Sequence, residues 1–245
     1  MDFNGRAALI TGGKRIGAAI ARALLERGVN VALTFNRSKA EADDVVRAAP
    51  PTARALALAA DLTIPGDCRR VVDEAAQAFG RLDILINMAS VYRAVPLEET
   101  DAALWDSVIN VDLRAAFLCA QAAVPHMRRG GTGRIINFSD WVAASSRPRY
   151  RGFTPYYVAK AGVKALAETL ALELAADQIL VNSIAPGPVL APPDTSDDEL
   201  AAVEAATPLG RWGGEHEIVK AVEFLIQSDF VTGETIRVDG GRHVR

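Results

Sequence analysis

Short apolar runs alternate along the chain with longer stretches in which apolar positions recur every three or four residues. The runs fall at 7–11, 29–34, 54–59, 84–87, 134–138, 179–184 and 235–238. The longer stretches fall at 16–27, 40–48, 65–79, 102–109, 113–128, 156–175 and 215–227. The first runs are continuously apolar rather than alternating, which is the pattern of parallel strands covered on both faces. Strand and helix in alternation, joined by right-handed crossovers, predict an α/β fold: a doubly wound parallel sheet of about seven strands with helices on both faces, in three layers.

Two segments depart from this rhythm. Residues 187–214 are irregular, with clustered prolines and the acidic run Asp194, Asp197, Asp198 and Glu199. A short helix and a movable lid around 189–207 are expected there. The stretch YYVAKAGVKALAETLALELA at 156–175 carries too many small apolar residues to face water on any broad side. One face covers the sheet, and the rest either packs on a second subunit or is core. Residues 113–127 have the same character. The chain is therefore expected to form a homo-oligomer, a tetramer rather than a dimer.

Composition narrows the class. The 245 residues suit one α/β domain spanning 1–245, and half of them are apolar. With a net charge of −3 and no basic block, no nucleic-acid surface is expected. The opening MDFNGRAALITGG lacks the pattern of a leader, and no uninterrupted apolar run nears the ~20 residues that span a bilayer. Only Cys68 and Cys119 occur, without CxxC spacing, so two reduced thiols and a cytoplasmic location are expected. His126, His216 and His243 have no metal-ligand spacing, and no metal is expected.

Candidate chemistry begins at Thr11-Gly12-Gly13-Lys14-Arg15-Ile16-Gly17, a glycine-rich turn between a strand and a helix. Glycines there let the backbone approach a pyrophosphate, which the free N–H groups of the helix start favour. The second strand ends in Asn36-Arg37-Ser38, with no acid to hold adenosine ribose hydroxyls. Lys14, Arg15, Arg37 and Ser38 suit a 2′-phosphate instead, so NADP(H) is the expected cofactor. Downstream, Tyr156 and Lys160 lie one helical turn apart. A free tyrosine, with pKa near ~10, is a poor acid at neutrality, and a lysine on the same face is expected to lower that pKa. Tyr157 lies ~100° round the helix and has no lysine at that offset.

These motifs, in this order and over nearly the whole chain, resemble a classical short-chain dehydrogenase/reductase, whose fold is of the Rossmann type. The resemblance implies that Asp61 and Leu62 border the adenine and that Asn87, Ala89 and Ser90 support the cofactor. It implies that Pro186, Gly187 and Val189 contact the nicotinamide carboxamide. It also implies that Gly12, Lys14, Arg15, Ile16 and Gly17 hold the phosphates, that Tyr156 is the general acid, and that Lys160 holds the nicotinamide ribose. Most of the family place Ser where this chain has Asp140; Ser139 falls one position early and is expected to point away from the pocket. Asp140 resembles the pteridine reductase branch, in which an Asp works with Tyr to relay protons to pterin ring nitrogens. The Lys14-Arg15 pair and Asn36-Arg37-Ser38 resemble that branch too, and Tyr92 is placed to stack on the substrate beside Arg15, Ser90, Asp140 and Tyr156.

Departures from the family accompany the resemblance. The glycine turn is one residue short, and Asp140 precedes Tyr156 by sixteen residues rather than the usual thirteen. The added residues lie in 141–155, which carries Arg147, Arg149 and Arg151. Those arginines are read either as a greeting for an anionic substrate or as a solvated loop. Asp112 stands where the family has an Asn that supports a water chain to the lysine. The expected activity is hydride transfer from NADPH to a C=N or C=O group of a small molecule of pteridine or dihydrofolate type. The alternatives are a 3-oxoacyl-carrier-protein or general ketone reductase, and a non-catalytic NADP-binding regulator.

Overall fold

The computed structural model describes residues 1–193 and 195–245; Asp194 of the acidic run lies outside the described residues. Seven strands form one parallel sheet in the order β3-β2-β1-β4-β5-β6-β7. They are β1 (Ala7–Thr11), β2 (Asn30–Phe35), β3 (Ala55–Ala59), β4 (Ile84–Asn87), β5 (Gly133–Phe138), β6 (Ile179–Pro186) and β7 (Thr235–Val238). The helices are α1 (Ile16–Glu26), α2 (Lys39–Arg47), α3 (Pro65–Phe79), α4 (Ala102–Ile109), α5 (Ala115–Gly130), α6 (Trp141–Ala144), α7 (Thr154–Leu174), α8 (Asp197–Ala205) and α9 (Glu215–Gln227). The predicted class and nearly every predicted element are present.

The pleat explains why the strands are continuously apolar. Successive side chains point to opposite faces. Ile10, Val31, Leu33, Ile84 and Ile86 join the core under α1 and α9. Leu9, Ala32, Leu85, Ile135 and Val181 join the core under α3, α5 and α7. Each face is roofed by helices, so a polar side chain on a strand is costly unless it finds a partner. Cys68 and Cys119 meet where α3 packs on α5, and Cys119 Sγ lies 3.7 Å from the Cys68 carbonyl oxygen.

Two elements lie beyond the predicted list. A single π-helical turn, Asn110–Arg114, joins α4 to α5, and the short α6 opens the 141–155 segment. The resulting run Ala102–Gly130 is long and apolar enough, by length and composition, to cross a membrane, contrary to the sequence expectation. It contains Asp106, Asp112 and Arg114, and packs against α3 and the sheet. The helix expected in 187–214 is α8, closed by a capping box between Ser196 and Glu199.

The lower edge of the sheet is tied by Asp83. Its carboxylate is 1% exposed and accepts from the Ala7 amide at 2.9 Å, from Arg6 at 3.0 Å and from Arg81 at 2.6 Å. Burial pushes this carboxyl up, but Arg81, the Ala7 amide and Arg6 together more than offset it and hold it below the usual carboxylate value. A depressed pKa contributes stability above the unfolded value and loses it as pH falls through the folded one. Asp83→Ala is expected to destabilise the fold by about 3 kcal/mol at pH 7, because two partly buried guanidiniums lose their partner. Urea denaturation should show that gap closing below about pH 4.

Candidate active site

At the carboxyl ends of β1, β2, β3 and β4 lies a cleft of about 890 Å³. Its walls include Gly12, Lys14, Asn36, Arg37, Ser38, Asp61, Leu62, Ala89 and Ser90, all of them predicted cofactor contacts. Two threonines to which the sequence reading gave no role hold this cradle. Thr34 Oγ1 accepts from the Gly12 amide at 3.1 Å, and Thr11 Oγ1 accepts from the Met88 and Ala89 amides at 3.0 and 3.3 Å. Thr11 heads the glycine-rich motif, whereas the only sequence signal of Thr34 is a hydroxyl at the last buried position of the adjacent strand.

The turn itself is too tight for side chains. Gly12 has φ +94°, and a Cβ on Gly17 would stand 2.0 Å from the Gly12 carbonyl oxygen. The backbone, rather than any side chain, forms the floor against which phosphates are to rest. Arg37, Ser38 and Lys14 gather at the β2 side, with Lys14 loosely paired to Glu41 at 3.7 Å. The residues present thus fit a phosphorylated dinucleotide.

The remaining predicted contacts are not among the residues lining the cleft. Gly17 and Ile16 serve the α1 packing, and Val189 is buried in the core. Asn87 donates to Asn137 at 2.9 Å and ties β4 to β5. Gly187 is pressed against Asp239, where a Cβ would come within 2.6 Å of backbone, and Pro186 pairs with Val238 of β7. Arg15 does not turn to the cleft; with φ +51° it donates to the lid carbonyl of Ala191 at 2.6 Å.

Next to the cleft is a cavity of about 260 Å³, walled mainly by Tyr92, Asp140, Tyr150, Phe153 and Tyr156. Tyr156 sits in the first turn of α7 and its hydroxyl donates to Asp140 Oδ2 at 2.9 Å. Asp140 caps α6, accepting from the Val142 amide at 2.8 Å, which fixes its carboxyl over the phenol. Ser139 faces the opposite way, as expected, and donates to the Lys160 carbonyl at 2.8 Å. Tyr92 stacks on Phe153 at 4.7 Å and meets Tyr156 edge-on at 5.0 Å, and is itself 60% exposed. Phe153 and Tyr150 escaped the sequence reading because they lie in the longer 141–155 loop.

Lys160 behaves differently from the sequence expectation. Its ammonium donates to the Phe138 carbonyl at 2.9 Å and pairs with Asp112 Oδ2 at 3.4 Å. The π-turn swings Asp112 inward, where it also accepts from the Val91 amide at 2.7 Å and from Ser90 Oγ. Lys160 thus has its own counter-ion, and the phenol is not lowered. Burial first, then the charge and hydrogen bond of Asp140, then Asp112, push Tyr156 well above its ordinary value. Burial also raises Asp140, against the Val142 amide, Tyr156 and Lys160. The site therefore holds protons tightly, in a phenol and a carboxyl that share one hydrogen bond.

Because Asp112 is among the charges that raise Tyr156, Asp112→Asn is expected to lower the upper pKa in the pH dependence of kcat/KM. Asn keeps an acceptor for the Val91 amide, so the fold should hold. An unchanged alkaline limb would remove Asp112 from this positioning role.

The family model described as Enoyl-(Acyl carrier protein) reductase matches residues 12–243. A 3-oxoacyl-(acyl-carrier-protein) reductase of Staphylococcus aureus is 36% identical over 98% of this chain and 98% of its own. A cis-4-hydroxycyclohexanecarboxylate dehydrogenase of Sinomonas cyclohexanicum is 37% identical over 98% and 97%. Among solved structures, a short chain dehydrogenase from Burkholderia cenocepacia in complex with NADP superposes with a TM-score of 0.91, at 32% identity over 99% of each chain. A blue fluorescent protein from a metagenomic library, in complex with NADPH, gives the same score, identity and coverage. With its parallel seven-stranded sheet and its Tyr156–Lys160 pair beside a dinucleotide-sized cleft, this chain belongs to the short-chain dehydrogenase/reductase family.

Proposed function

We propose that the protein is an NADPH-dependent reductase acting on a planar, conjugated C=N or C=O group of pteridine or dihydrofolate type. The observation that carries this reading is the hydrogen bond from Tyr156 to Asp140 at 2.9 Å, inside a cavity walled by aromatic rings. A flat heterocycle finds stacking partners in Tyr92 and Phe153. NADP(H) is supported by Lys14, Arg37 and Ser38 around the cleft and by the absence of an acid at the end of β2. Bound there, the reduced nicotinamide supplies a hydride.

The chain supplies the rest. Reduction of C=N or C=O adds hydride to carbon and one proton to nitrogen or oxygen. Tyr156 holds that proton, and Asp140 holds a second one when protonated, so the carboxyl refills the phenol after transfer. Lys160 is placed to bind ribose hydroxyls while Asp112, 3.4 Å away, orients it. The cavity, half closed by Tyr92, keeps bulk water from the reacting face. The exposed apolar side chains Phe117, Val158 and Leu172 on α5 and α7 support a homo-oligomer, and two buried free thiols suit the cytoplasm.

The second reading is a 3-oxoacyl-(acyl-carrier-protein) reductase, favoured by the relatives that carry that name over nearly their whole length. Asp140 separates the two. Asp140→Ser is expected to lower dihydropterin reduction at least ~100-fold, because a proton relay is lost. Reduction of acetoacetyl thioesters, which needs only Tyr156, should stay within a few fold. NADPH consumption with dihydrobiopterin, dihydrofolate and acetoacetyl thioesters in parallel, with NADH as control, decides between them. Equal losses on all substrates would sink the relay.

A raised carboxyl pKa has a further consequence. Its protonated form is the one the fold favours, so that contribution is complete below the unfolded value and lost as pH rises through the folded one. Asp140→Asn, which is never charged, should therefore melt higher than the natural protein at pH 7. The difference should shrink toward pH 4, as read by thermal unfolding at both values.

A further inference from the structure

The cavity that holds Asp140 and Tyr156 opens under the 141–155 loop, and that loop is unusual in its charges. It contains Arg147, Arg149 and Arg151 and no acidic residue, in a chain whose net charge is −3. Some surface arginines are matched, since Arg27, Arg69, Arg70, Arg128 and Arg211 each lie within 4 Å of a carboxylate. Among the described residues, none of Arg147, Arg149 and Arg151 has an acidic side chain within that distance.

Two of these side chains are nonetheless held. The Arg149 guanidinium lies over the Trp141 ring, 5.2 Å from its centre, and donates to the main-chain oxygen of Arg245. Arg147 donates to the carbonyl of His243 at 3.3 Å. Arg242 approaches the same indole at 5.6 Å, so a second cation stands near the first. The loop is pinned at its far end, where the Val95 amide donates to the Gly152 carbonyl at 2.8 Å. Arg149 is itself part of the cavity wall, beside Tyr150 and Phe153. Arg149 and Arg242, like charges near one ring, repel one another, and an anion that arrives between them relieves the repulsion.

We infer that this loop binds an anionic arm of the substrate, a carboxylate or a phosphate carried beyond the reducible group. The inference rests on the reading above in one respect: the reducible group occupies the Tyr156–Asp140 cavity. Planar aromatic walls grip the reacting end, and Arg149 with Arg147 and Arg151 grips the distal end. The arm then sets orientation, since a flat ring between Tyr92 and Phe153 slides freely unless its far end is fixed.

Two matched pairs test this. Dihydropterin is compared with dihydrofolate, which adds a dicarboxylate arm, and the acetoacetyl thioester of N-acetylcysteamine with that of coenzyme A, which adds phosphates. The arm is expected to raise kcat/KM by about tenfold or more at low salt. The advantage should shrink as salt is added and approach one in Arg149→Gln and in Arg151→Glu. Calorimetry on NADP-saturated protein, with p-aminobenzoylglutamate and with pyrophosphate, reads the arm alone: binding lost in both variants supports the subsite. The calorimetric result stands even if none of the four compounds is reduced, so failure of the hydride reading and failure of the arm subsite are separable. Preference for dihydrofolate or for the coenzyme A thioester tells which anion is used. Ratios near one for both pairs, ratios unchanged in both variants, or no binding of either fragment would overturn the inference. Arg151 makes none of the stacking contacts of Arg149, so its variant keeps the test open should Arg149→Gln not fold.

Discussion

Lys160, Asp112, Asp140 and Tyr156 share a small, largely apolar volume at the top of the sheet, with one positive charge among them. Charge in such a place is costly unless paired, and the pairing found here is specific. The ammonium is matched by Asp112 at 3.4 Å, which leaves Asp140 without a cation of its own. Burial then drives Asp140 toward its protonated form, and Asp140 drives the Tyr156 hydroxyl further from ionisation. The chemistry of the site follows from which carboxylate the lysine is given.

That division depends on two local devices. The π-turn at Asn110–Arg114 rotates Asp112 toward Ser90, Val91 and Lys160, where a regular helix would direct it differently. The short helix α6 is capped by Asp140, so the same carboxyl that begins a helix also receives the phenol. Both devices sit at ends of elements, where backbone groups lack regular partners and side chains settle the difference. The aromatic cavity takes Tyr150 and Phe153 from the loop between α6 and α7, while Asp140 and Tyr156 stand at the starts of those two helices.

Much of the fold was legible in the chain. Strands 7–11 and 84–87 stand where the apolar runs placed them, because a strand covered on both faces can hide only continuous apolar sequence. Tyr156, Lys160 and the glycine turn were legible because their spacing has a mechanical reason. Ser139 facing away and Asp140 facing in followed from the alternation of a strand. Other expectations concerned direction rather than position. Arg15 was read toward phosphate or substrate and reaches Ala191 instead, and Lys160 was read as the group that lowers Tyr156. Thr34, Phe153 and Tyr150 carry no motif, and their roles come from neighbours distant in sequence.

The sequence by itself determined the layered α/β class, the cofactor end of the sheet and the candidates for the proton-bearing side chains, since periodicity and spacing are local properties of the chain. Only the tertiary structure decided which charges meet. Asp112 and Lys160 are separated by forty-eight residues and Asp140 and Tyr156 by sixteen. Whether a carboxylate sits 3 or 10 Å from an ammonium depends on how a π-turn, a helix cap and a loop are packed together. Electrostatic energy in a buried site changes steeply over that range, so the state of each proton is a property of the packed molecule and not of its residues taken in order.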